Sequence, residues 1–520
     1  MSHAQPGQSL NTPFGALNWA VLIAFLLGTT LVGQIKKGDT SRLEGFFLGG
    51  RSIPWWAVAA SLMSSKTSAL TFIAVPGFIF AAGGDLRYLQ ITVGMILGNI
   101  LMAKIFVRPY YEERIYSPYD FMENRLGTGV SQLARLLFLA GVVLSQAVRL
   151  LATALVLSVI TGFSIPTCVL IMALFGVVWC VIGGINTVIW TDVVQWAIYT
   201  SGAIVAVVAM VYAVPGGVSG IFAIADERAK LALIDLSLDP TKTYTLWVGL
   251  FGMTVFELGQ TAIDQSVTQR ALCCESAKEA QKAIYASAVA ALTFYLMAFV
   301  GLGLVAFYAV NPPQETTAQL LARQPDRVFP LFLVEQMPPG LSALLIASIF
   351  AAGAINSALA ALAQTTVAGI YQRYVRPGAS ERHYLAVSRV FIVAWAAVLA
   401  GLALAFHTTA NQGLLNLGLR VPGYVYGALL AIALLALWHR GTPVAIGIGV
   451  VVSIAAVLGL QAMNVAFFWW YPVQCLVVIA STLAIAPQRR AARVDAPDLG
   501  SGAQRHPEGV GPQSAIRNRP

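Results

Sequence analysis

The sequence predicts an all-α, polytopic membrane protein, and three observations carry that reading. Hydrophobic residues make up 58% of the 520-residue chain and charged residues only 11%, against about 25% charged in soluble proteins. Uncharged apolar runs recur from end to end, each near the ~20 residues a helix needs to cross ~30 Å of hydrocarbon. None alternates apolar and polar residues, which excludes a membrane β-barrel.

Thirteen candidate spans follow: 15–35, 55–80, 88–107, 131–161, 165–184, 190–214, 245–265, 283–310, 340–370, 384–407, 412–437, 442–462 and 466–486. The first has no basic residue before it and Lys36 and Lys37 just after it. A cleavable signal peptide carries its basic residues on the opposite flank. Residues 1–14 are therefore expected outside the cell and the first loop inside. Alternation from there places Arg42 and Arg51, Arg108 to Arg125, Arg270 to Lys282, Arg373 to Arg382, and Arg440 in inner loops. Arg228, Lys230, Lys242, Arg323 and Arg327 fall in the two longest outer loops, where the charge rule is weakest. Residues 487–520 turn polar, with Arg489, Arg490 and Arg493 at their start. Such a segment cannot bury a core, and a disordered cytoplasmic tail is expected.

The net charge of +9 is read as topology-setting lysines and arginines, with the bilayer as partner, and not as a nucleic-acid signal. The five cysteines, Cys168, Cys180, Cys273, Cys274 and Cys475, show no metal-ligand spacing and are read as free thiols. The histidines His3, His383, His407, His439 and His506 are dispersed, so no catalytic grouping is expected and the chain is not read as an enzyme. No phosphate-binding glycine loop with a lysine is present, which argues against ATP as the driving force.

Three motifs carry more. FFLGGRSIPWW (Phe46 to Trp56) combines a glycine turn, a cation, a proline helix start and two tryptophans. GGINTVIWTDVVQW (Gly183 to Trp196) breaks between two spans and places Asp192 just inside the second. DQSVTQRALCCESAKEA (Asp264 to Ala280) follows the seventh span. In this order and spacing the chain resembles the sodium/solute symporter family, which includes sodium–glucose, sialic acid and proline transporters, over roughly residues 15 to 480.

The resemblance implies a five-plus-five inverted repeat working by alternating access. The first repeat would be 55–214 and the second 245–437, with extra helices 15–35, 442–462 and 466–486. It also implies that the first helix of each repeat is interrupted near the midplane, where unpaired backbone groups meet solute and ions. The cluster Ser64-Ser65-Lys66-Thr67-Ser68 is where the break in 55–80 is expected.

Lys66 is eleven residues from Trp55 and fourteen from Phe80, about 16 to 21 Å from either end of the span. Its side chain cannot snorkel that far, so the ammonium must be paired, hydrated or neutral. One reading is an ion pair that only holds helices together. The other comes from the resemblance. Relatives hold a sodium with carbonyls that map onto Ser64 and Thr67 and with hydroxyls from a later helix. Those hydroxyl positions fall here on Gly353 and Ala354, or on Ile355 and Asn356 in a shifted register, and none carries a hydroxyl. The Lys66 ammonium is then a candidate surrogate for the cation, leaving sodium coupling, proton coupling or uncoupled facilitation open. Some relatives hold a second sodium where Asp192, Asn356 and Ser357 stand. Asp192 is alternatively a helix-end cap, and it is the acidic partner on offer to Lys66.

Arg149 lies inside 131–161, on the helix where an arginine grips a carboxylate in anion-transporting relatives. A guanidinium suits a carboxylate because it forms a bidentate fork. Thr71, Glu257 and Gln260 fall at substrate-contact or gating positions of the sugar transporters. Leu70 at such a position counts against a plain hexose. A buried Arg149–Glu257 pair is the purely structural alternative. The expected activity is secondary transport of a small polar solute, a carboxylate-bearing one among the options, across the inner membrane, with no obligate protein partner. A transporter-shaped solute sensor is the rival from another class.

Overall fold

The computed structural model describes residues 15–486 apart from 37, 39–41, 68, 339, 353–354 and 410–419. The expected outer N-terminus, the tail 487–520, Ser68, Gly353 and Ala354 thus lie outside the described residues, as does the Leu70 side chain. The described residues are helical or loop, with no strand among them.

The main helices are α1 (Ala16–Ile35), α2 (Trp55–Lys66), α3 (Ala69–Phe80), α4 (Ile91–Ile105), α5 (Pro118–Leu126), α6 (Thr128–Thr161) and α7 (Ile165–Ala213). They continue as α8 (Thr254–Ile263), α9 (Gln265–Ala271), α10 (Ala277–Ser287), α11 (Ala291–Val310), α12 (Leu341–Ala352) and α13 (Asn356–Thr366). The last four are α14 (Glu381–Thr409), α15 (Tyr426–Leu437), α16 (Pro443–Ala462) and α17 (Trp470–Ile485).

Among the described residues, eight helical stretches are long and apolar enough to cross a bilayer, and the bent pair α2–α3 makes a ninth. Ile165–Val181, Val248–Ile263 and Tyr426–Leu437 are apolar but shorter. The thirteen expected spans are therefore not all continuous membrane-length helices. The expected 340–370 span is divided into α12 and α13 around the undescribed residues 353–354.

Where the chain interrupts its helices, the residues say why. Pro54 has extended dihedrals (φ −64°, ψ 142°) and leads into α2 at Trp55. The helix stops at Lys66, because Thr67 leaves helical space at φ −94°, ψ 88°. The two halves of this broken span meet at a bend of 45°. The long α7 is interrupted at Gly184 (φ 58°, ψ −152°). A Cβ at Gly184 would collide with the Phe46 carbonyl, so glycine is required for both dihedral and space.

Packing of α4 on α8 uses small residues. Gly94 and Gly98 stand four apart, on one face of α4. A Cβ on Gly98 would lie 2.6 Å from Cβ of Glu257. Glycine lets the two backbones approach closely, as helix pairs in lipid do. That approach brings Glu257 within reach of α2.

Candidate functional site

The three sequence motifs, far apart in the chain, meet in space. Phe46 of the first abuts Gly184 of the second. Gln269 Nε2 of the third donates to the Phe47 carbonyl at 2.5 Å, and Ile53 N donates to the Cys273 carbonyl at 3.1 Å. Above this junction stands α2, whose Ser61 and Lys66 point into two separate polar clusters.

The first cluster surrounds the lysine. Lys66 Nζ lies 2.7 Å from Glu257 Oε1, with side-chain exposures of 3% and 1%. The ammonium also donates to Asn99 Oδ1 and, at 3.4 Å, to Ser287 Oγ. Asn99 Nδ2 donates to Glu257 Oε1 at 3.0 Å and to the Met95 carbonyl at 2.6 Å. Four helices, α2, α4, α8 and α10, thus each contribute one side chain. The lysine satisfies its three donors within this cluster, as a buried ammonium must.

Two expectations are corrected here. The Arg149–Glu257 pair does not form, because the Gly98 contact turns Glu257 towards α4 and α2. Asp192 is not the partner of Lys66, whose described bonds all run to α4, α8 and α10. The surrogate reading turns on positions 353–354, which lie outside the described residues.

The second cluster holds Asp192. Its Oδ2 accepts from Ser61 Oγ at 2.6 Å and from Arg270 Nη2 at 2.8 Å. Arg270 Nε donates in turn to Ser61 Oγ at 2.7 Å. Arg270 also bonds the Ser266 carbonyl, and all three side chains are buried. This triad ties α2 to α7 and α9. Next to it, Asp264 caps α9 by accepting from Ser266 N at 2.8 Å, and Tyr426 on α15 donates to its other oxygen at 2.5 Å. Gln265 Nε2 donates to Gln364 Oε1 on α13 at 2.8 Å.

Arg149 reaches the break from α6. Its Nη2 donates to the Ser65 carbonyl at 3.0 Å, and no ion pair reaches it among the described residues. Ser65 and Arg149 are both half-buried. Of the other expected site residues, Ser64, Thr67 and Thr71 are buried near the break and Gln260 is half-buried on α8. Thr67 Oγ1 is shut from solvent without a hydrogen-bond partner. Asn356 Oδ1 accepts from Ser357 N at 2.9 Å, while its Nδ2 is buried without a partner. Buried polar atoms left this way are uncommon in folded proteins and mark places where a ligand, ion or water can serve.

Sequence reasoning missed Asn99, Ser61, Ser287 and Arg270 as cluster members. Asn99 had a visible signal, a lone amide in an apolar run just after two glycines four apart. Arg270 stood inside a recognised motif, but nothing in the sequence pointed it at Asp192. Among the described residues no group of three or more His, Cys, Asp and Glu side chains could hold a metal ion. The five cysteines are free and buried. Burial pushes the Cys274 thiol up to about 12, which makes it a poor nucleophile.

Residues 46–443 match the model of the sodium:solute symporter family. The sodium/sialic acid symporter SiaT of Proteus mirabilis is 26% identical over 483 residues, covering 90% of this chain and 95% of that one. The sodium/glucose cotransporter of Vibrio parahaemolyticus is 28% identical over 476 residues, covering 86% and 84%. Among solved structures, a Na+-coupled sialic acid symporter in a substrate-bound, outward-open state superposes with a TM-score of 0.81 at 24% identity, covering 91% of this chain and 98% of that one. The architecture is shared, and with a family match running through all three motifs, the chain belongs to the sodium:solute symporter family.

Proposed function

We propose that this protein carries a small organic solute bearing a carboxylate, together with a cation, and that Arg149 is the anchor for that carboxylate. The observation behind the reading is the environment of Arg149. It lies twelve residues before the end of α6, about 18 Å along the helix. Its one described bond runs to a backbone carbonyl at the end of α2. A cation at such depth costs at least ~2.5 kcal/mol, and a carboxylate offering a two-pronged contact offsets that cost. Glu257 is engaged by Lys66, so it does not compete for the guanidinium. Thr71 and Gln260 remain as polar contacts for the rest of the solute. Sialic acid, the solute named for one relative, is a carboxylated sugar.

The test is a thermal-shift screen of organic acids, sugars and amino acids, followed by uptake into proteoliposomes. A carboxylated ligand should raise the unfolding temperature of the native protein and of Arg149→Lys less or not at all. Stabilisation by neutral sugars alone, unchanged in Arg149→Gln, overturns the reading. Solute accumulation in the liposome lumen separates a transporter from a solute sensor.

Sodium is the proposed coupling ion, as in the relatives' names. Ser64 and Thr67 at the break, and Asp192 with Asn356 and Ser357, are the proposed cation positions. A cation at Asp192 must share the carboxylate with Arg270 and Ser61, which already bond Oδ2. The second reading, proton coupling or none, is favoured by the absence of hydroxyls at Gly353 and Ala354. Uptake driven by a sodium gradient at constant pH, against a pH gradient without sodium, separates the two. The 55–214 and 245–437 segments are read as the inverted repeats, in an inner membrane, with the N-terminus outside and the C-terminus in the cytoplasm.

A further inference from the structure

A crevice of about 250 Å³ opens where the chain turns into α8, with Phe251 on its wall six residues before Glu257. Leu238, Trp247, Phe251 and Trp469 wall it, and Asp239 and Thr245 lie at its edge. Phe251 belongs to the segment Val248–Met253, which is wound as a π-helix, a geometry found often at functional sites. A Cβ at Gly252 would stand 2.7 Å from the Phe468 carbonyl, so the backbones already touch beneath the opening. Above, Ala466 N donates to the Pro240 carbonyl at 2.8 Å and fastens the loop to the start of α17.

The two indoles differ. Trp247 Nε1 donates to the Leu236 carbonyl at 3.1 Å. Trp469 Nε1 is shut from solvent and has no acceptor. Around them the surface is apolar: Phe251 is 52% exposed and Leu238 81%. In membrane-spanning chains tryptophans mark the boundary between lipid and water. Asp239 is the one charged residue among those that line the crevice; its Oδ1 accepts from Thr241 N and Oγ1, and the neighbouring Lys242 pairs with Asp235 at 3.2 Å.

We propose that this crevice binds a phospholipid with a zwitterionic, amine-bearing headgroup. An acyl chain lies between Leu238, Phe251 and the indole rings. The indole of Trp469 turns its edge into the crevice so that Nε1 gains a phosphate or ester oxygen as acceptor, and the headgroup amine meets Asp239. The site is distinct from the break in α2–α3, but it bears on α8, the helix that carries Glu257.

The full-length protein, delipidated in mild detergent and offered equal amounts of phosphatidylethanolamine and phosphatidylglycerol, tests this by native mass spectrometry. One phosphatidylethanolamine is expected to stay bound in preference to phosphatidylglycerol. Trp469→Phe should lower its retention about tenfold, the equivalent of one hydrogen bond to a charged group, and Asp239→Asn should abolish the headgroup preference. Chain-brominated phosphatidylethanolamine added to the unmutated protein should quench tryptophan fluorescence more than brominated phosphatidylglycerol, which covers the case of a variant that fails to fold. No retained lipid, equal retention of the two, or a preference that both variants leave intact overturns the proposal.

Discussion

The Lys66 ammonium and the Glu257 carboxylate form an ion pair 2.7 Å long that joins the end of α2, half of a broken span, to the first turn of α8. Removing either partner leaves the other charge buried and alone. Lys66→Ala or Glu257→Ala should each destabilise the protein by about 3–5 kcal/mol, whereas the double change Lys66→Met with Glu257→Leu should recover most of that. Thermal unfolding in detergent of the singles and the double checks it. Equal loss in the double and the singles would show that the pair is not the source.

The closeness of α4 and α8 makes a second prediction. A methyl group at Gly98 meets the Glu257 side chain at 2.6 Å. Gly98→Ala should therefore cost about 1–3 kcal/mol through overpacking and should disturb the Lys66 cluster, while Gly447→Ala, with nothing near its Cβ, should be close to neutral. Denaturation midpoints of the two variants, measured side by side, decide it.

The Asp192 triad predicts a graded response. Asp192→Ala strands Arg270 and should cost about 3–5 kcal/mol. Asp192→Asn keeps an acceptor for Ser61 and Arg270 and should cost less. If both variants unfold at the temperature of the parent, the triad contributes nothing to stability, and its bonds matter only to transport.

Thiol chemistry offers a simple check on burial. With its pKa near 12, Cys274 is almost wholly protonated at pH 7.5. A maleimide should label it only after denaturation. Peptide mapping that finds Cys274 modified in the native protein at that pH would contradict the packing described.

The 228–245 loop should loosen in acid. The Ser237 backbone N–H, followed by the Lys242 and Arg87 side chains, holds Asp235 below the ordinary carboxylate range. A depressed folded pKa means that this anchoring is complete above the unfolded value and is lost as pH falls through the folded one. Pepsin nicking of the loop should rise as the pH is lowered through that range. Asp235→Asn should be nicked readily at every pH tested.

Much of the architecture was legible from residue chemistry. The low charge content and long apolar runs identified a membrane helical protein. The depth of Lys66 left its ammonium to be paired, hydrated or neutral, and the hydroxyl-rich stretch around it marked the end of α2. What the sequence left open was helix rotation. Whether Glu257 faces α6 or α4 depends on which side of α8 meets a glycine, and Gly98 settles it. The same applies to Arg270, whose fork turns to Asp192 only because α9 folds back beneath α2. Asn99 was overlooked because an amide inside an apolar run gives no charge signal. The count of thirteen spans was read from apolar length, which cannot distinguish a continuous helix from two halves.

Opposite charges that share one packed cluster have an electrical consequence. Any movement that carries α2 and α8 together shifts no net charge on account of Lys66 and Glu257. A membrane potential of 100 mV, worth about 2.3 kcal/mol per elementary charge, does no work on that couple. Arg149 has no ion-pair partner among the described residues, and the buried Asp264 carboxylate acts on it only through space. Voltage dependence of the transport cycle should therefore reside in charges outside the Lys66–Glu257 couple: Arg149, Asp264, and the solute and cation carried.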